Sequence, residues 1–386
     1  MKKILFITPE LGHGGTNRCL LNLLGVTDSD KYQIDIFAMR HEGPYEKLLQ
    51  GYSLLPEQPL LSVYYSYPKA IAGENLWGKI KKTALKFYLK FGLKNNQRKV
   101  YEAAAGTFSK AGYDVVVGFQ ESAATEFASL IAAKHHVSWV HCDYRRHIDK
   151  VKRDETEIYS RIDDVVAVSE FTAEVFRQAV PAAAGKTHAI HNLMDSQGIL
   201  KRSRETVSDS RFEVSPFTLV SVGRMDPVKR FSEIPAMAAY LKAQNIPFRW
   251  YIIGDGGEEK QAVETAIREN RVEDRVILLG EKDNPYPYMA KASAVVCPSW
   301  SEACPNVVNE GLILHVPVVT ADFPTATEFI TTGVNGMISP IETMGETLET
   351  LWKDRDLYGR ICRNLRDFTY DNRSIQQAVE SILDGE

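Results

Sequence analysis

The chain has 386 residues, of which 44% are hydrophobic and 25% charged, and its formal net charge is −4. These proportions are typical of a soluble globular protein, and the length exceeds what one hydrophobic core usually supports, so two domains are expected. The weakly acidic balance argues against a nucleic-acid-binding protein, and no apolar run reaches the roughly 18 residues that cross a bilayer.

The number and spacing of the cysteines also indicate the redox compartment of the protein. Their number is odd and none forms a Cys-x-x-Cys pair, which argues against a disulfide framework. A reducing cytoplasm fits this pattern, and each thiol is expected to be a small buried side chain. The five are Cys19, Cys142, Cys297, Cys304 and Cys362.

Short apolar runs alternate with helical patterns in both halves of the chain. Unbroken apolar strands that alternate with helices are typical of parallel sheets covered on both faces. The sequence therefore predicts a doubly wound α/β protein of two domains with a cleft between them, divided in the polar stretch 195–215. Strands are predicted at 3–8, 33–38, 115–118, 137–141, 165–168, 218–222, 250–253, 276–279, 294–297 and 316–320.

The first strand ends on a glycine-rich turn, GHGGTN at 12–17. Such a turn at a helix N-terminus offers backbone amides to a phosphate or a hydroxyl, and Gly15 and Thr16 are the candidates for that contact. The turn does not spell Gly-x-Gly-x-x-Gly, and no acidic residue clearly follows the second strand. A dinucleotide, and with it a dehydrogenase, is therefore disfavoured.

Residues 77–100 differ from the rest of the chain, because they contain seven lysines and one arginine but no acid. Trp77, Ile80, Ala84, Tyr88 and Phe91 follow a helical spacing, so one face of the helix is apolar. Two interpretations remain open. The helix lies on an anionic membrane surface, or its apolar stripe packs into the core while the lysines face water.

The strand predicted at 137–141 ends on His141, within WVHCDYRR at 139–146. An imidazole at the carboxyl end of a strand can hydrogen-bond a substrate hydroxyl near neutral pH, although a lone histidine is more often structural. Asp143, Tyr144 and Arg145 are candidates for the acceptor side of the same site.

A second turn, SVGRMDPVKR at 221–230, follows the first apolar strand of the second half. Gly223 lets the backbone approach a ligand, and Arg224 and Lys229 can converge on a diphosphate, which carries about two negative charges. The alternative is a pair of solvated cations on a loop. Gly254, in the glycine-rich turn 254–257, either borders the same nucleotide or belongs to a plain turn.

The segment SEACPNVVNEG at 301–311 follows another apolar strand. Pro305 suits the first turn of a helix, which places Glu302 in the loop and Glu310 on the helix. Carboxylates bind sugar hydroxyls well, and the amides near Asn306 and Val307 favour anions or hydroxyl oxygens. Two capping or surface acids are the alternative.

A divalent metal is not expected. Asp28-Ser29-Asp30 and Asp354-Arg355-Asp356 match the Asp-x-Asp spelling of metal-binding motifs. Both are predicted in turns away from the strand ends, where such residues commonly cap turns and helices. We therefore predict no metal and no other cofactor.

Taken together, these motifs resemble the retaining glycosyltransferases of the GT-B fold, family 4, over nearly the whole chain. The family's pattern of two glutamates separated by seven residues is met by Glu302 and Glu310, and its Gly-Arg and Lys clamp by Gly223, Arg224 and Lys229. The resemblance implies an acceptor domain at 1–200, a donor domain at 215–365 and a final helix at 366–386 that returns to the first domain.

The same resemblance implies roles for these residues. Glu302 would hold the donor sugar, Glu310 the ribose, Arg224 and Lys229 the diphosphate, and His141 would lie near the reacting sugar. The expected reaction moves a hexose from a nucleotide diphosphate sugar, UDP-linked, to a glycan, lipid-linked glycan or polysaccharide in the cytoplasm or at the inner face of the cell membrane. An epimerase or hydrolase of the same fold, and a non-catalytic nucleotide-sugar-binding module, are the alternatives.

The chain departs from the family at three places. Ala303-Cys304 stand where Gly-Phe is common, Asn17 stands where an acid is common, and Pro324-Thr325-Ala326 replace a glycine-rich turn before Glu328. These differences concern the identity of the donor sugar and the shape of the acceptor pocket.

Overall fold

The computed structural model describes residues 1–12, 14–41, 43, 45–49, 51–72, 74–207 and 209–385, apart from the side chains of Tyr67 and Pro68. The chain forms two compact units, one of Met1–Leu193 with Arg373–Glu386 and one of Met194–Asn372. Each unit contains a parallel sheet with helices between successive strands. The predicted doubly wound α/β class is therefore confirmed.

The first unit is built on a seven-stranded sheet in the order β3-β2-β1-β4-β5-β6-β7. Its central strands are buried along most of their length, because helices cover both faces of a parallel sheet. The strands are β1 Lys2–Glu10, β2 Tyr32–Arg40, β3 Ser53–Leu54, β4 Val115–Gly118, β5 His135–Val140, β6 Asp164–Ala167 and β7 Thr187–Ala189.

Nine α-helices of the described part lie between β1 and β7 in the chain. A single π-helical turn, Tyr88–Gly92, continues the fourth of them. The helices are α1 Gly15–Val26, α2 Tyr45–Leu48, α3 Pro59–Ile71, α4 Leu76–Phe87, α5 Gln97–Ser109, α6 Ala123–Ala128, α7 Tyr144–Val151, α8 Thr156–Tyr159 and α9 Glu170–Ala179.

The second unit is built on a six-stranded sheet in the order β10-β9-β8-β11-β12-β13. Its strands are β8 Phe217–Val222, β9 Phe248–Ile253, β10 Val276–Gly280, β11 Ala294–Cys297, β12 Val318–Ala321 and β13 Gly336–Ser339. Its helices are α10 Ser196–Arg202, α11 Ile234–Ala243, α12 Lys260–Glu269, α13 Tyr286–Met289, α14 Asn306–Ile313, α15 Ala326–Phe329, α16 Met344–Lys353 and α17 Arg355–Arg366.

The strand order of the second sheet determines where a ligand can bind. The chain runs outward from β8 through β9 to β10, then returns to the other side of β8 with β11. At such a switch point the loops after the two central strands diverge and leave a crevice at the carboxyl edge of the sheet. The motifs 221–230 and 301–311 are the loops that follow β8 and β11.

The last helix, α18 Asn372–Asp384, packs on the first unit. The Lys31 ammonium lies 2.5 Å from the Asp384 carboxylate, and the Tyr32 hydroxyl donates to the same side chain. Further along the helix, the Gln376 amide donates to the Val26 carbonyl at 3.0 Å. The C-terminal segment is thereby fixed beside α1 and β2.

Three strands were missed by the sequence analysis: β3, β7 and β13. They have only two, three and four residues, respectively, and they carry few apolar side chains, so no apolar run marks them. The strand predicted at 316–320 occurs at Val318–Ala321. The strand predicted to end at His141 ends at Val140.

Candidate active site at the switch point of the second sheet

The loops after β8 and β11 are joined directly. The Trp300 amide donates to the Val228 carbonyl at 3.0 Å. Below them the strands pair in parallel, with Ala294 opposite Leu219 and Val295 opposite Val220. The two motifs that the sequence predicts at strand ends therefore form one surface.

The centre of this surface is an ion pair between Lys229 and Glu302. The Lys229 Nζ lies 2.6 Å from Glu302 Oε1, and the two side chains are only 24% and 14% exposed. Lys229 ends a short 3₁₀ turn, Pro227–Lys229, and Arg230 then takes a left-handed backbone conformation (φ 50°) that ends that turn. The Thr325 hydroxyl donates to the Glu302 carbonyl at 2.9 Å, which fixes the loop from the β12 side.

The electrostatics of the pair keep Lys229 charged. Burial alone would lower the pKa of the Lys229 ammonium, but attraction by the Glu302 carboxylate outweighs burial and raises this pKa above the usual lysine value. Lys229 is therefore a cation at neutral pH.

Arg224 lies in the same loop but is far more exposed. Its guanidinium is 2.8 Å from the Asp226 carboxylate, with 62% of the Arg224 side chain open to solvent. An exposed pair of this kind contributes only about 0–1 kcal/mol to stability. Arg224 can therefore exchange Asp226 for another anion at little cost.

The loop after β9 packs tightly against the loop after β8. Gly254 has a positive φ of 140°, and a Cβ at this position would lie 1.9 Å from the Gly223 carbonyl oxygen. Gly257 is similar, since its Cβ would lie 2.2 Å from the Met225 carbonyl oxygen. Only glycine permits this approach, so the turn 254–257 supports the backbone that carries Gly223 and Arg224.

The helix after β11 supplies a different group of contacts. α14 begins at Asn306 with Pro305 at the preceding cap position, one residue later than predicted. Val307 lies in the first turn, where a helix leaves backbone amides without an intrahelical acceptor. Glu310 lies on α14, and it accepts a hydrogen bond from the Tyr286 hydroxyl at 3.1 Å. Glu310 is thus in contact with Tyr286, whereas Glu302 is in contact with Lys229.

The glycine-rich turn lies in the first unit. Gly15 and Thr16 open α1 after Gly14, which occupies the cap position and has no side chain to cap the helix. Asn17 is buried, and its amide donates to the carbonyls of Glu10 and Gly12 at 3.1 Å and 2.8 Å. Asn17, one of the departures from the family, therefore holds the turn in shape. His13 lies outside the described residues.

His141 directly follows β5 in the first unit. Its backbone amide donates to Glu121 Oε2 at 2.9 Å, and Glu121 is itself only 7% exposed. The His141 Nε2 is buried and has no hydrogen-bond partner within the described part of the chain. Burial lowers the pKa of His141 to about 4 despite the nearby Glu121 carboxylate, so the ring is neutral at pH 7.

The acceptor-side candidates fall into two groups. Asp143 caps α7, and its carboxylate pairs with the exposed Arg145 guanidinium at 2.9 Å. Tyr144 is fully buried, and its hydroxyl donates to Glu155 at 2.5 Å. The prediction that Tyr144 faces a substrate is therefore wrong, because its ring is enclosed by apolar side chains such as Tyr159 and Phe176.

The two Asp-x-Asp sequences serve local structure. Asp354 caps α17 by accepting from the Leu357 amide at 2.9 Å, and Asp28 accepts from the Asp30 amide at 2.8 Å. Their predicted role as turn and capping residues is confirmed. Within the described ranges, no group of three or more His, Cys, Asp or Glu side chains is placed to hold a metal ion.

Sequence reasoning missed three residues that position this site. Thr325 fixes Glu302, Asp226 holds Arg224, and Glu121 anchors His141. A signal existed for Glu121, since it is a carboxylate just beyond the buried strand β4. Thr325 was noted only as a departure from the family, and its contact depends on the tertiary structure.

The match to a protein-family model lies within the second unit. Residues 216–354 match the family model described as "Glycosyl transferases group 1". This stretch begins just before β8 and contains both loops that carry the Lys229–Glu302 pair.

Among characterised relatives, the chain is similar to the N-acetylgalactosamine-N,N'-diacetylbacillosaminyl-diphospho-undecaprenol 4-alpha-N-acetylgalactosaminyltransferase of Campylobacter jejuni. The two are 26% identical over 204 residues, which cover 52% of this chain and 53% of that protein. The amylovoran biosynthesis glycosyltransferase AmsK of Erwinia amylovora is 29% identical over 133 residues, 32% of each chain. The chain thus spans about half or less of the length of these relatives.

Among solved structures, the whole chain is similar to Anabaena HepE, whose crystal structure contains UDP and glucose. The TM-score is 0.76, with 20% identity and complete coverage of both chains. At this level of identity the comparison concerns the fold, which is GT-B: two Rossmann-like domains with parallel sheets.

Proposed function

We propose, from the group 1 glycosyltransferase match of residues 216–354, that this chain is a retaining glycosyltransferase that moves a hexose from a nucleotide diphosphate sugar to a glycan or lipid-linked glycan acceptor. The observation that carries the proposal is the Lys229–Glu302 pair at the switch point of the second sheet. It unites a cation suited to a phosphate with a carboxylate suited to a sugar hydroxyl.

The donor diphosphate would bind Lys229 and Arg224. Each cation is paired with a carboxylate, Glu302 and Asp226 respectively, so the four side chains have no net charge. A diphosphate of about two negative charges would displace both carboxylates from the cations, and the bidentate guanidinium fork would add orientation. Arg224 can turn most easily because its own ion pair is open to water.

Displacement from Lys229 would free the Glu302 carboxylate for the donor sugar. A carboxylate accepts hydrogen bonds from two neighbouring hydroxyls, which would orient the sugar beside the diphosphate. Glu310 would bind the ribose in the same way, and the first-turn amides of α14, at Asn306 and Val307, would contact the phosphate. The similarity to HepE, solved with UDP and glucose, favours UDP as the nucleotide.

In the transfer step the bond between the sugar C1 and the diphosphate oxygen breaks. The acceptor hydroxyl oxygen forms the new bond to C1 on the same face, and its proton passes to a phosphate oxygen of the leaving nucleotide. The products are a glycoside with the donor's anomeric configuration and a nucleoside diphosphate. Lys229 and Arg224 would stabilise the charge that develops on the leaving group, which is usually the largest catalytic contribution.

His141 would act as a neutral hydrogen-bonding group. Its lowered pKa of about 4 leaves the ring uncharged at pH 7, and its buried Nε2 lacks a partner in the described structure. It is suited to a sugar hydroxyl and unsuited to the role of a cation. With two protein cations on the diphosphate, the reaction would need no divalent metal.

A thermal-shift screen against UDP-, GDP- and ADP-sugars tests this proposal. We expect a UDP-sugar to raise the melting temperature most, because a ligand that binds only the folded state stabilises it by mass action. The shift should persist in the presence of a metal chelator. Donor consumption that is no faster with a glycan acceptor than without one would favour an epimerase or hydrolase, and donor binding without turnover would favour a non-catalytic module.

A further inference from the structure

The helix α4 and the π-helical turn after it expose large apolar side chains. We call this set the 76–91 face: Leu76, Trp77, Ile80, Phe87, Tyr88 and Phe91, which are 72%, 72%, 49%, 59%, 49% and 66% exposed. Half of the exposed large apolar side chains in the described residues thus lie within sixteen consecutive positions. A cluster of this kind marks an interaction surface, whereas single exposed apolar residues need no explanation.

The six side chains lie on one side of the element. At about 100° per residue their positions fall within an arc of about 120°. The opposite side faces the first unit's core, where Leu89 is 3% exposed and Leu85 packs against the same cluster. The stripe that sequence reasoning left open between core and surface is therefore at the surface, and the core is covered by other residues of the helix.

Lysines border the 76–91 face on both sides. Lys79 and Lys90 lie on one flank and Lys81 on the other, and all three are exposed. Lys82 points inward instead, toward Glu74 at 2.8 Å. No acidic residue occurs between 77 and 100 to neutralise this charge.

We propose that the 76–91 face docks on an anionic lipid bilayer, with the helix lying in the plane of the interface. The apolar side chains would enter the boundary between headgroups and acyl chains, and the bordering lysines would contact anionic headgroups. Trp77 and Tyr88 are the residue types that prefer this depth. No helix in the described ranges has the length and apolar content needed to cross a membrane.

The charge pattern favours a membrane over a second copy of the chain as the occupant. Two copies joined through this face would bring two sets of lysines together without acids between them, and like charges at an interface oppose association. A bilayer with anionic headgroups supplies both the apolar layer and the opposite charge.

This inference does not require the transfer reaction. If the proposed function holds, the docked chain would meet lipid-linked acceptors at the membrane. Lipid binding is measured without any donor or acceptor, so a negative result for one proposal does not contradict the other.

Vesicle co-sedimentation of the full chain tests the docking. We expect binding to vesicles of phosphatidylcholine mixed with phosphatidylglycerol, and binding at least about tenfold weaker to phosphatidylcholine alone, because anionic headgroups attract basic residues near the membrane surface and neutral vesicles do not. The variant K79Q/K81Q/K90Q/K94Q, which also removes the exposed Lys94 three residues after Phe91, should lose at least about tenfold in affinity for the anionic vesicles. The matched control K47Q/K110Q/K201Q/K291Q removes the same charge from exposed positions elsewhere and should bind like the wild type.

A second pair of variants separates the apolar contribution. W77S/F91S should abolish binding, whereas V214S/V334S, at exposed apolar positions outside the face, should not. Melting curves of all variants should match the wild type, since the altered side chains are exposed. Equal binding to both vesicle types, or a dimer in solution that W77S/F91S dissociates, would overturn the proposal.

Discussion

Lys229 and Glu302 lie 73 positions apart in the chain, yet their charged groups meet at 2.6 Å. They follow neighbouring strands, β8 and β11, at the point where the second sheet changes direction. In the proposed function, the two side chains pair with each other before the donor binds and separate when it binds. Replacement of Lys229 and replacement of Glu302 should therefore have different effects on turnover and on ligand binding.

Replacement of Lys229 with alanine should lower turnover at least about hundredfold, because one preorganised group that stabilises developing charge typically contributes that much. Steady-state kinetics with the donor from the thermal screen measures the loss. Lys242→Ala is the matched control, since Lys242 pairs with Asp274 at 2.8 Å on an exposed part of the same unit. Near-normal turnover in Lys229→Ala would remove this residue from the diphosphate site.

Glu302→Gln should separate sugar binding from nucleotide binding. The carboxylate competes with the diphosphate for Lys229, so its removal should leave affinity for UDP unchanged or higher. Affinity for the UDP-sugar should fall toward that for UDP, because the neutral glutamine amide offers the sugar hydroxyls one acceptor oxygen in place of the two charged oxygens of the carboxylate. Calorimetric titration with both ligands measures this, and an equal loss of affinity for UDP and UDP-sugar would contradict the assignment.

The same variant should lower stability in the absence of ligand. Lys229 is largely buried, and a cation that loses its partner retains its desolvation cost, so unfolding in urea should show a loss of about 1–3 kcal/mol. Saturating UDP should restore part of this loss. An unchanged unfolding free energy would show that the pair does not contribute to the folded state.

Gly254→Ala should destabilise the second unit by about 2–4 kcal/mol, because a positive φ and contact with the Gly223 carbonyl both exclude a side chain. Thermal unfolding measures the effect. Gly359→Ala in α17 is the control; there the added methyl would meet only the end of the flexible Arg363 side chain. It should be neutral or stabilising by up to about 1 kcal/mol. Equal stability of both variants would contradict the packing of the two loops.

His141 predicts a specific pH dependence. Its pKa is lowered from 6.5 to about 4 on folding, so the unfolded chain binds more protons between these values. Acidification through this window should therefore lower the unfolding free energy. Above pH 6.5 the histidine is neutral in both the folded and the unfolded chain, so this loss is absent there. Urea unfolding at several pH values measures the effect. Between pH 6.5 and about 4, the unfolding free energy of His141→Gln should fall less than that of the wild type, by at most about 3 kcal/mol. Parallel curves for the two proteins would contradict a buried neutral ring.

The sequence predicted the sheets well because buried parallel strands leave an unmistakable signal. The run that forms β11, Ala294–Cys297, was located without error. β7 and β13 were missed because an edge strand of three or four residues has little apolar surface to bury. Such strands are defined by their hydrogen bonds to a neighbouring strand that is distant in the sequence, and no local sequence pattern reveals those bonds.

The sequence indicated candidate site residues one by one, but it did not indicate the contacts between them. Lys229 and Glu302 were each assigned to a different part of the donor, and nothing local indicates that they pair. That contact depends on the strand order, which places β11 beside β8. Tyr144 was misplaced for the same reason, since its neighbours in sequence are polar while its neighbours in space are aromatic.

The proposed reaction transfers a hexose from a nucleotide diphosphate sugar with retention of configuration. Proton NMR of the slow reaction with water in place of an acceptor tests it, because the first sugar released reveals the face of attack. From an α-linked UDP-sugar, we expect the α-anomer to appear first and then to equilibrate. Release of the β-anomer first, or no consumption of any UDP-, GDP- or ADP-sugar, would contradict it.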